Sequence, residues 1–288
     1  MAVEFAERNN GVIVNADSAQ LYRDIPILSA APSADDLKRA EHRLYGVLDG
    51  ARPCSAADWA AVARREIEDI HGLGRLPVLV GGTGLYLRTL LNGIAPVPSI
   101  DPDIREQVRS DSVADNFEEL EKLDPVAAQR LNAGDRTRIA RALEVVRSTG
   151  KTLAEWQERR EGGIGEEIDL RALILLPPRD WLYRRCDTRF ETMIEDGAAK
   201  EVSALLARNL SPELPVMRAI GVREVADYVR GSTTRDEAMA AGQQATRRYA
   251  KRQYTWFAHQ PPADWPPFTD ALEGSTVASA LALIEAKD

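Results

Sequence analysis

Short apolar runs alternate with amphipathic stretches along most of this chain. Gly11-Val-Ile-Val14 is apolar and β-branched, then gives way to the polar Asn15-Ala-Asp17-Ser18. It predicts a buried strand whose C-terminal end presents Asp17. Leu76-Pro-Val-Leu-Val80 predicts a second strand, followed by Gly81-Gly82-Thr83-Gly84 and a helical segment, Leu85 to Leu91, stopped by Asn92-Gly93. Arg171-Ala-Leu-Ile-Leu-Leu176 predicts a third strand, ended by Pro177-Pro178, with Asp180 as cap of the next helix. Strands alternating with helices define an α/β fold with a parallel sheet wrapped by helices. Ligands of such folds bind beyond the carboxyl ends of the strands, where Asp17 and Thr83 both fall.

Residues 98–165 follow another pattern: helical, strand-poor and charged, entered through Pro96-Val-Pro98 and closed by Glu161-Gly-Gly-Ile-Gly165. Ile139, Leu143 and Val146 recur at helical spacing, which turns Arg138 and Arg141 to another face. The expected organisation is an α/β core in two parts, residues 1–97 and 166–288, around a helical insertion domain at 98–165. The tail, Ala263-Asp-Trp-Pro-Pro, reads as a loop before a last helix near residues 277–286. The chain shows no internal repeat.

Composition narrows the functional classes. The 288 residues are 44% hydrophobic and 28% charged, ordinary for a globular protein with a sizeable core. No apolar run approaches the ~18 residues of a membrane helix, and the N-terminus has no secretory pattern, so a cytoplasmic protein is expected. The two cysteines, Cys54 and Cys186, and the three histidines, His42, His71 and His259, are scattered. That spacing argues against a zinc site, a redox pair or a Ser-His-Asp triad. A net charge of −8 argues against coating of nucleic acid. Basic residues are nevertheless concentrated: Arg247, Arg248, Lys251 and Arg252 share a stretch without acidic residues, and Arg136, Arg138 and Arg141 form a second strip. An acidic protein with local basic strips suits a selective RNA binder.

Each candidate for chemistry has a plain structural alternative. Asp17 is placed to be a general base or a metal ligand, or simply to cap a helix over Ala19-Gln-Leu-Tyr22 together with Ser18. The turn at residues 81–84 offers a phosphate close backbone approach, helix N–H groups and the Thr83 hydroxyl, although glycine turns are common. Arg218 and Arg223 flank Gly221 and could grip a diphosphate, or be a solvated helix end. In Arg247-Arg-Tyr-Ala-Lys-Arg-Gln-Tyr-Thr-Trp256, two basic rows at i, i+4 suit RNA phosphates. The interleaved Tyr249, Tyr254 and Trp256 could stack on bases but read first as core.

The order of these blocks is more telling than any one of them. Val14 to Tyr22 is followed by His42-Arg-Leu-Tyr45, Ser55-Ala-Ala-Asp58-Trp59, Pro77 to Tyr86 and Asp124-Pro125. Ala140-Arg-Ala-Leu-Glu-Val145, Gly150-Lys-Thr152, Arg218 to Arg223 and Lys251 to Trp256 complete the series. In content and order the set resembles the tRNA dimethylallyltransferases of the IPP transferase family, over about residues 11–257. The resemblance implies a P-loop NTPase-like sheet with a helical insertion. It also implies transfer of a dimethylallyl group from dimethylallyl diphosphate to N6 of the adenosine 3′ of the anticodon, in tRNAs reading codons that begin with U. Asp17 matches the family's general base, and Thr83, with Gly82, matches the diphosphate and reacting-centre position. Arg218 and Arg223 match arginines near the diphosphate and the tRNA. Asp17, Ser18, Ala19, Gln20, Arg105, Thr137, Arg138, Ile139, Ala140, Arg141, Arg247, Lys251 and Arg252 match tRNA-contacting positions. A monomer is expected, with the anticodon stem-loop and dimethylallyl diphosphate as partners and Mg²⁺ as the family's metal.

One family element is not in the sequence. Family members begin with a strand and a P-loop, Gly-x-x-x-x-Gly-Lys-Ser/Thr, whose hydroxyl normally holds Mg²⁺. Here Met1 to Glu7 reads as the helix that follows that loop, so the P-loop lysine would fall about three residues ahead of Met1. A start assigned at an internal methionine explains this with the downstream sites intact. A chain truly beginning at Met1 is instead expected to bind diphosphate poorly, to turn over little and to expose sheet edges. The competing readings are a catalytically defective tRNA-binding remnant and a P-loop small-molecule kinase; the arginine-bearing insertion and the 251–256 block count against the kinase.

Overall fold

The computed structural model describes residues 1–285. In chain order, helix α1 (Ala2–Arg8), strand β1 (Gly11–Asn15), α2 (Ala34–Arg39), β2 (Glu41–Arg43), α3 (Ala56–Gly72), β3 (Leu76–Val80) and α4 (Gly84–Asn92) come first. Next are α5 (Pro102–Ser110), α6 (Val113–Leu123), α7 (Pro125–Arg130), α8 (Arg136–Thr149) and α9 (Leu153–Gln157). Then follow β4 (Ile174–Leu175), α10 (Arg179–Glu195), α11 (Ala198–Ala207), a 3-10 turn (Pro215–Arg218), α12 (Val222–Val229), α13 (Arg235–His259), β5 (Pro267–Phe268) and α14 (Ser275–Glu285).

The main sheet is parallel, in the order β2-β1-β3. β1 is buried throughout because strands flank both of its edges and α1 and α3 pack against it. A parallel strand covered on both faces reads as an unbroken apolar run, which is why Val12, Ile13 and Val14 announce it. Each such side chain contributes about 1.5–3 kcal/mol by leaving water. β3 is only half-buried, and its outer edge has no strand partner among the described residues. Pro77 is tolerated there because an edge strand can spare an N–H. β2 carried no apolar signal. Its side chains instead form ion pairs, Arg43 to Glu66 at 2.9 Å and Arg75 to Glu41.

Four local expectations are corrected. Residues 19–22 form no helix, so neither Asp17 nor Ser18 is a helix cap. The segment is a turn, with Tyr22 N–H on Ala19 O (3.3 Å), held from outside as Gly46 N–H donates to Gln20 O (2.9 Å), Leu48 N–H to Leu21 O (2.8 Å) and Arg23 N–H to Leu48 O (3.0 Å). The run at 171–176 contributes only β4, which pairs with β5 in a separate two-stranded sheet rather than with β1. Pro267, read as loop, therefore belongs to a strand. Asp180 lies inside the first turn of α10, where the helix dipole favours it, and Pro178 takes the capping position. The last helix starts at Ser275; its expected end at Ala286, like the rest of 286–288, lies outside the described residues.

The chain divides into two compact units, residues 1–90 with 168–285, and residues 91–167. In the first, α10, α11 and α12 with Tyr22, Ile25 and Leu28 build an apolar core around Phe190 and Val222. In the second, Leu120, Ile139 and Leu143 form the core. The sequence pattern put that segment's ends at 98 and 165. Its stem begins earlier, because Ile94 pairs with Glu161 and Gly165 N–H donates to Leu91 O at 2.9 Å. Several blocks of the resemblance prove to be caps. Ser55 and Asp58 form a capping box on α3, Asp124 caps α7 and Thr152 caps α9. Gly72, the last residue of α3, has nothing within 4 Å of where a methyl would sit. Gly72→Ala is therefore expected to stabilise the protein by about 0.5–1 kcal/mol, read as a higher urea midpoint with transfer activity unchanged.

Candidate functional site

Asn15 ends β1 and bends the chain toward Asp17. Its side chain is buried and satisfied, donating to Leu44 O and Asp17 O (3.0 Å each) and accepting from Asp17 N–H at 2.7 Å. Trp59 secures the same point from α3, its indole N–H reaching Asn15 O at 3.0 Å while its ring stacks on Tyr86. Asp17 emerges half-buried, with Oδ1 accepting Ala19 N–H at 2.9 Å. Burial pushes its carboxyl above the usual range; the N–H groups of Ala19 and Gln20 and the charge of Arg189 pull the other way but do not cancel it. A carboxylate so placed has raised basicity, an attribute of a general base.

The glycine turn is bonded to this segment directly. Thr83 N–H donates to Ala16 O (3.2 Å), and the Thr83 hydroxyl accepts Ser18 N–H at 3.0 Å and lies 3.3 Å from Ser18 Oγ. Thr83 and Asp17 are thus held side by side, Ser18 being the link. Gly81 allows this approach, since a methyl there would overlap the Ala16 backbone. From the other side α13 presents Tyr249, Gln253 and Trp256 at i, i+4 and i+7. Gln253 Nε2 donates to Gly82 O at 3.0 Å. The Tyr249 phenol lies near Gln253 and Thr83, and burial first and the Asp17 charge second raise its pKa. Tyr45 is pushed up to about 12 by burial and by Asp17, and Tyr86 upward, chiefly by burial. The carboxylate is therefore ringed by phenols that stay protonated.

Other expected site residues fall as follows. Gln20 spends its amide donors on Ser29 O (3.1 Å) and Ala30 O (2.7 Å), fixing the neighbouring loop. Arg218 is exposed at the end of the 3-10 turn, 3.6 Å from Glu213, and Arg223 is exposed in the first turn of α12. Arg247 is paired with Asp187, so its charge is partly committed. Lys251 and Arg252 are exposed, the latter 5.5 Å above the Tyr249 ring. In the second unit Arg105, Thr137 and Arg138 are exposed, and Ala140 and Arg141 half-buried. The Ile139 side chain is fully buried beside Leu120 and Leu143, which leaves only its backbone for an RNA contact. Sequence reasoning missed Glu144, which is 2% exposed and bonded to Arg109 at 2.9 Å, with Arg141 at 4.0 Å. It also missed Arg189, and it held Tyr45, Tyr86 and Gln253 only within blocks of the resemblance, without their contacts at this site. The heptad-like spacing of Tyr249, Gln253 and Trp256 was the available signal for the α13 contact.

No group of three or more His, Cys, Asp or Glu among the described residues could hold a metal. The described residues thus supply no such cage for Mg²⁺.

A parallel α/β sheet with a base and a glycine turn at its strand ends, joined to a helical unit bearing arginines, defines a group-transfer enzyme built to hold a large polyanion. The IPP transferase family model matches residues 20–260, and the chain belongs to that family. A tRNA dimethylallyltransferase of Novosphingobium aromaticivorans is 59% identical over 95% of this chain and 98% of its own length. That of Sphingopyxis alaskensis is 58% identical over 94% of this chain and 89% of its own. Among solved structures, the tRNA isopentenylpyrophosphate transferase of Bacillus halodurans superposes with a TM-score of 0.67 at 31% identity, covering 99% of this chain and 92% of that one. A eukaryotic dimethylallyltransferase acting on tRNA gives 0.80 at 26% identity, over 98% and 73% respectively.

Proposed function

We propose that this protein transfers a dimethylallyl group from dimethylallyl diphosphate to N6 of the adenosine 3′ of the anticodon, in tRNAs reading codons that begin with U. The observation that carries the reading is the Asp17–Ser18–Thr83 linkage, which sets a basic carboxylate beside a hydroxyl-bearing glycine turn. In the reaction the allylic C–O bond breaks, a C–N6 bond forms, the N6 proton passes to Asp17 and diphosphate leaves. Asp17 relieves the amine of positive charge as the bond forms. The turn at 81–84, the Thr83 hydroxyl, Arg218 and Arg223 take up the negative charge gathering on the leaving group. The adenine must leave its stack to react, at a cost of a few kcal/mol, so an extensive grip on the loop is required. Lys251, Arg252 and Arg247 on α13 and Arg105, Arg138 and Arg141 in the second unit supply it. No helix among the described residues is long and apolar enough to cross a membrane. We infer a cytoplasmic monomer. The names of the relatives favour tRNA prenylation over a small-molecule kinase.

The test is transfer of labelled dimethylallyl to an anticodon stem-loop whose adenosine follows the anticodon. Incorporation at that base supports the reading; phosphorylation of a nucleotide without RNA, or no incorporation, removes it. Lys251→Ala and Arg252→Ala are each expected to reduce the slope of log affinity against log salt by about 0.7–1. An unchanged slope would take these two residues off the RNA.

A further inference from the structure

Helix α13 has two faces with separate duties. Lys251 is exposed on one, whereas Tyr249, Gln253 and Trp256 meet the glycine turn on the other, with the exposed Arg252 at their border above the Tyr249 ring. A methyl on Gly82 would land on the Gln253 amide and one on Gly84 on the Trp256 ring, so helix and turn are in close contact. The turn's own bonds, Thr83 N–H to Ala16 O and Ser18 N–H to the Thr83 hydroxyl, tie it to β1 but leave the Gly82 carbonyl to be held from elsewhere. Gln253 Nε2 holds it at 3.0 Å. A glycine pair has wide backbone freedom, and a turn that must present N–H groups to a diphosphate gains from being fixed beforehand.

We propose that Gln253 is a positioning residue: by anchoring the Gly82 carbonyl it orders the 81–84 turn for the prenyl donor, from the same helix that offers Lys251 and Arg252 to RNA. Tyr249, one turn earlier on α13, lies beside both Gln253 and Thr83. The bond Gln253 makes is to the turn, so its influence should fall on the donor more than on the tRNA. The kinetic part of this inference rests on the proposed prenyl transfer; the ordering of the turn does not.

Gln253→Leu keeps the bulk and removes the donor, and Gly82→Ala displaces the amide from the turn side without changing the sequence of α13. In both, hydrogen exchange in peptides covering residues 81–91 is expected to quicken by about ten-fold, as for loss of one buried hydrogen bond, with the middle of α13 still protected. KM for dimethylallyl diphosphate should rise by a similar factor, about ten-fold, while tRNA affinity stays put. Unchanged exchange at the turn in both variants overturns the inference whether or not the protein turns over. Faster exchange with an unchanged KM overturns the claim that the anchor serves the donor. If the unaltered protein transfers no dimethylallyl group, the proposed function fails, and the exchange measurement still decides the role of Gln253.

Discussion

Asp17→Asn is expected to slow transfer by about 10²–10⁴-fold, the usual worth of a general base, with tRNA affinity changed by less than about twofold. The amide oxygen of asparagine can still accept Ala19 N–H, so the turn at 17–19 should survive and the loss should be one of basicity. Because burial raises the Asp17 carboxyl, the rate of the unaltered protein should fall as pH drops through a value above the ordinary carboxylate range of about 4. Stability carries the opposite sign. A group whose folded pKa is raised contributes stability that is present below its unfolded pKa and lost as pH rises through the folded one. At neutral pH the ionised Asp17 therefore weakens the fold, and the asparagine variant should melt no lower, with the difference disappearing in acid. Stopped transfer with an equal or higher melting temperature would assign Asp17 to chemistry. A variant that unfolds early, or one that keeps its rate, would remove it from that role.

Much of this was legible in the residues, for reasons that differ by element. β1 and β3 declared themselves because a covered parallel strand must be apolar throughout. β2 did not, since Glu41, His42 and Arg43 lie at an edge where ion pairs replace burial. The stretch at 19–22 looked helical, but the carbonyls of Gln20 and Leu21 are taken by the N–H groups of Gly46 and Leu48, and no local pattern records that pairing. The strand at 171–176 failed likewise, its partner lying at 267–268. Asp17 and Thr83 could be proposed from sequence because strand ends are where such folds bind ligands. Gln253 could not, as its function depends on one carbonyl 171 positions away in the chain. Aromatics at helical spacing usually mean core, and Tyr249 is half-buried as that rule expects; its place beside Thr83 and Gln253 is what the rule omits.

Gly81→Ala is expected to lower transfer by at least about 10²-fold and to destabilise the protein by about 1–3 kcal/mol. The added methyl would overlap backbone atoms of Ala16, not the yielding end of a side chain. Ala16 has nowhere to go: it is fully buried, its N–H is bonded to Val80 O at 2.8 Å and its carbonyl to Thr83 N–H at 3.2 Å. The turn must therefore retreat from the end of β1, taking Thr83 away from Ser18 and so from Asp17. A displacement of about 1 Å at a reacting centre is enough for a hundredfold loss, and this one separates the base from the leaving-group turn. Rates should be compared at a temperature where unfolding curves show both proteins fully folded, so that instability cannot masquerade as misplacement. Gly72→Ala, with open space around the new methyl, controls for the generic effect of adding alanine. If Gly81→Ala folded with a normal melting temperature and transferred at full rate, the close seating of the turn on Ala16 would have no part in catalysis. If it folded and bound tRNA but failed in transfer, the register between the ends of β1 and β3 would be what sets the chemistry.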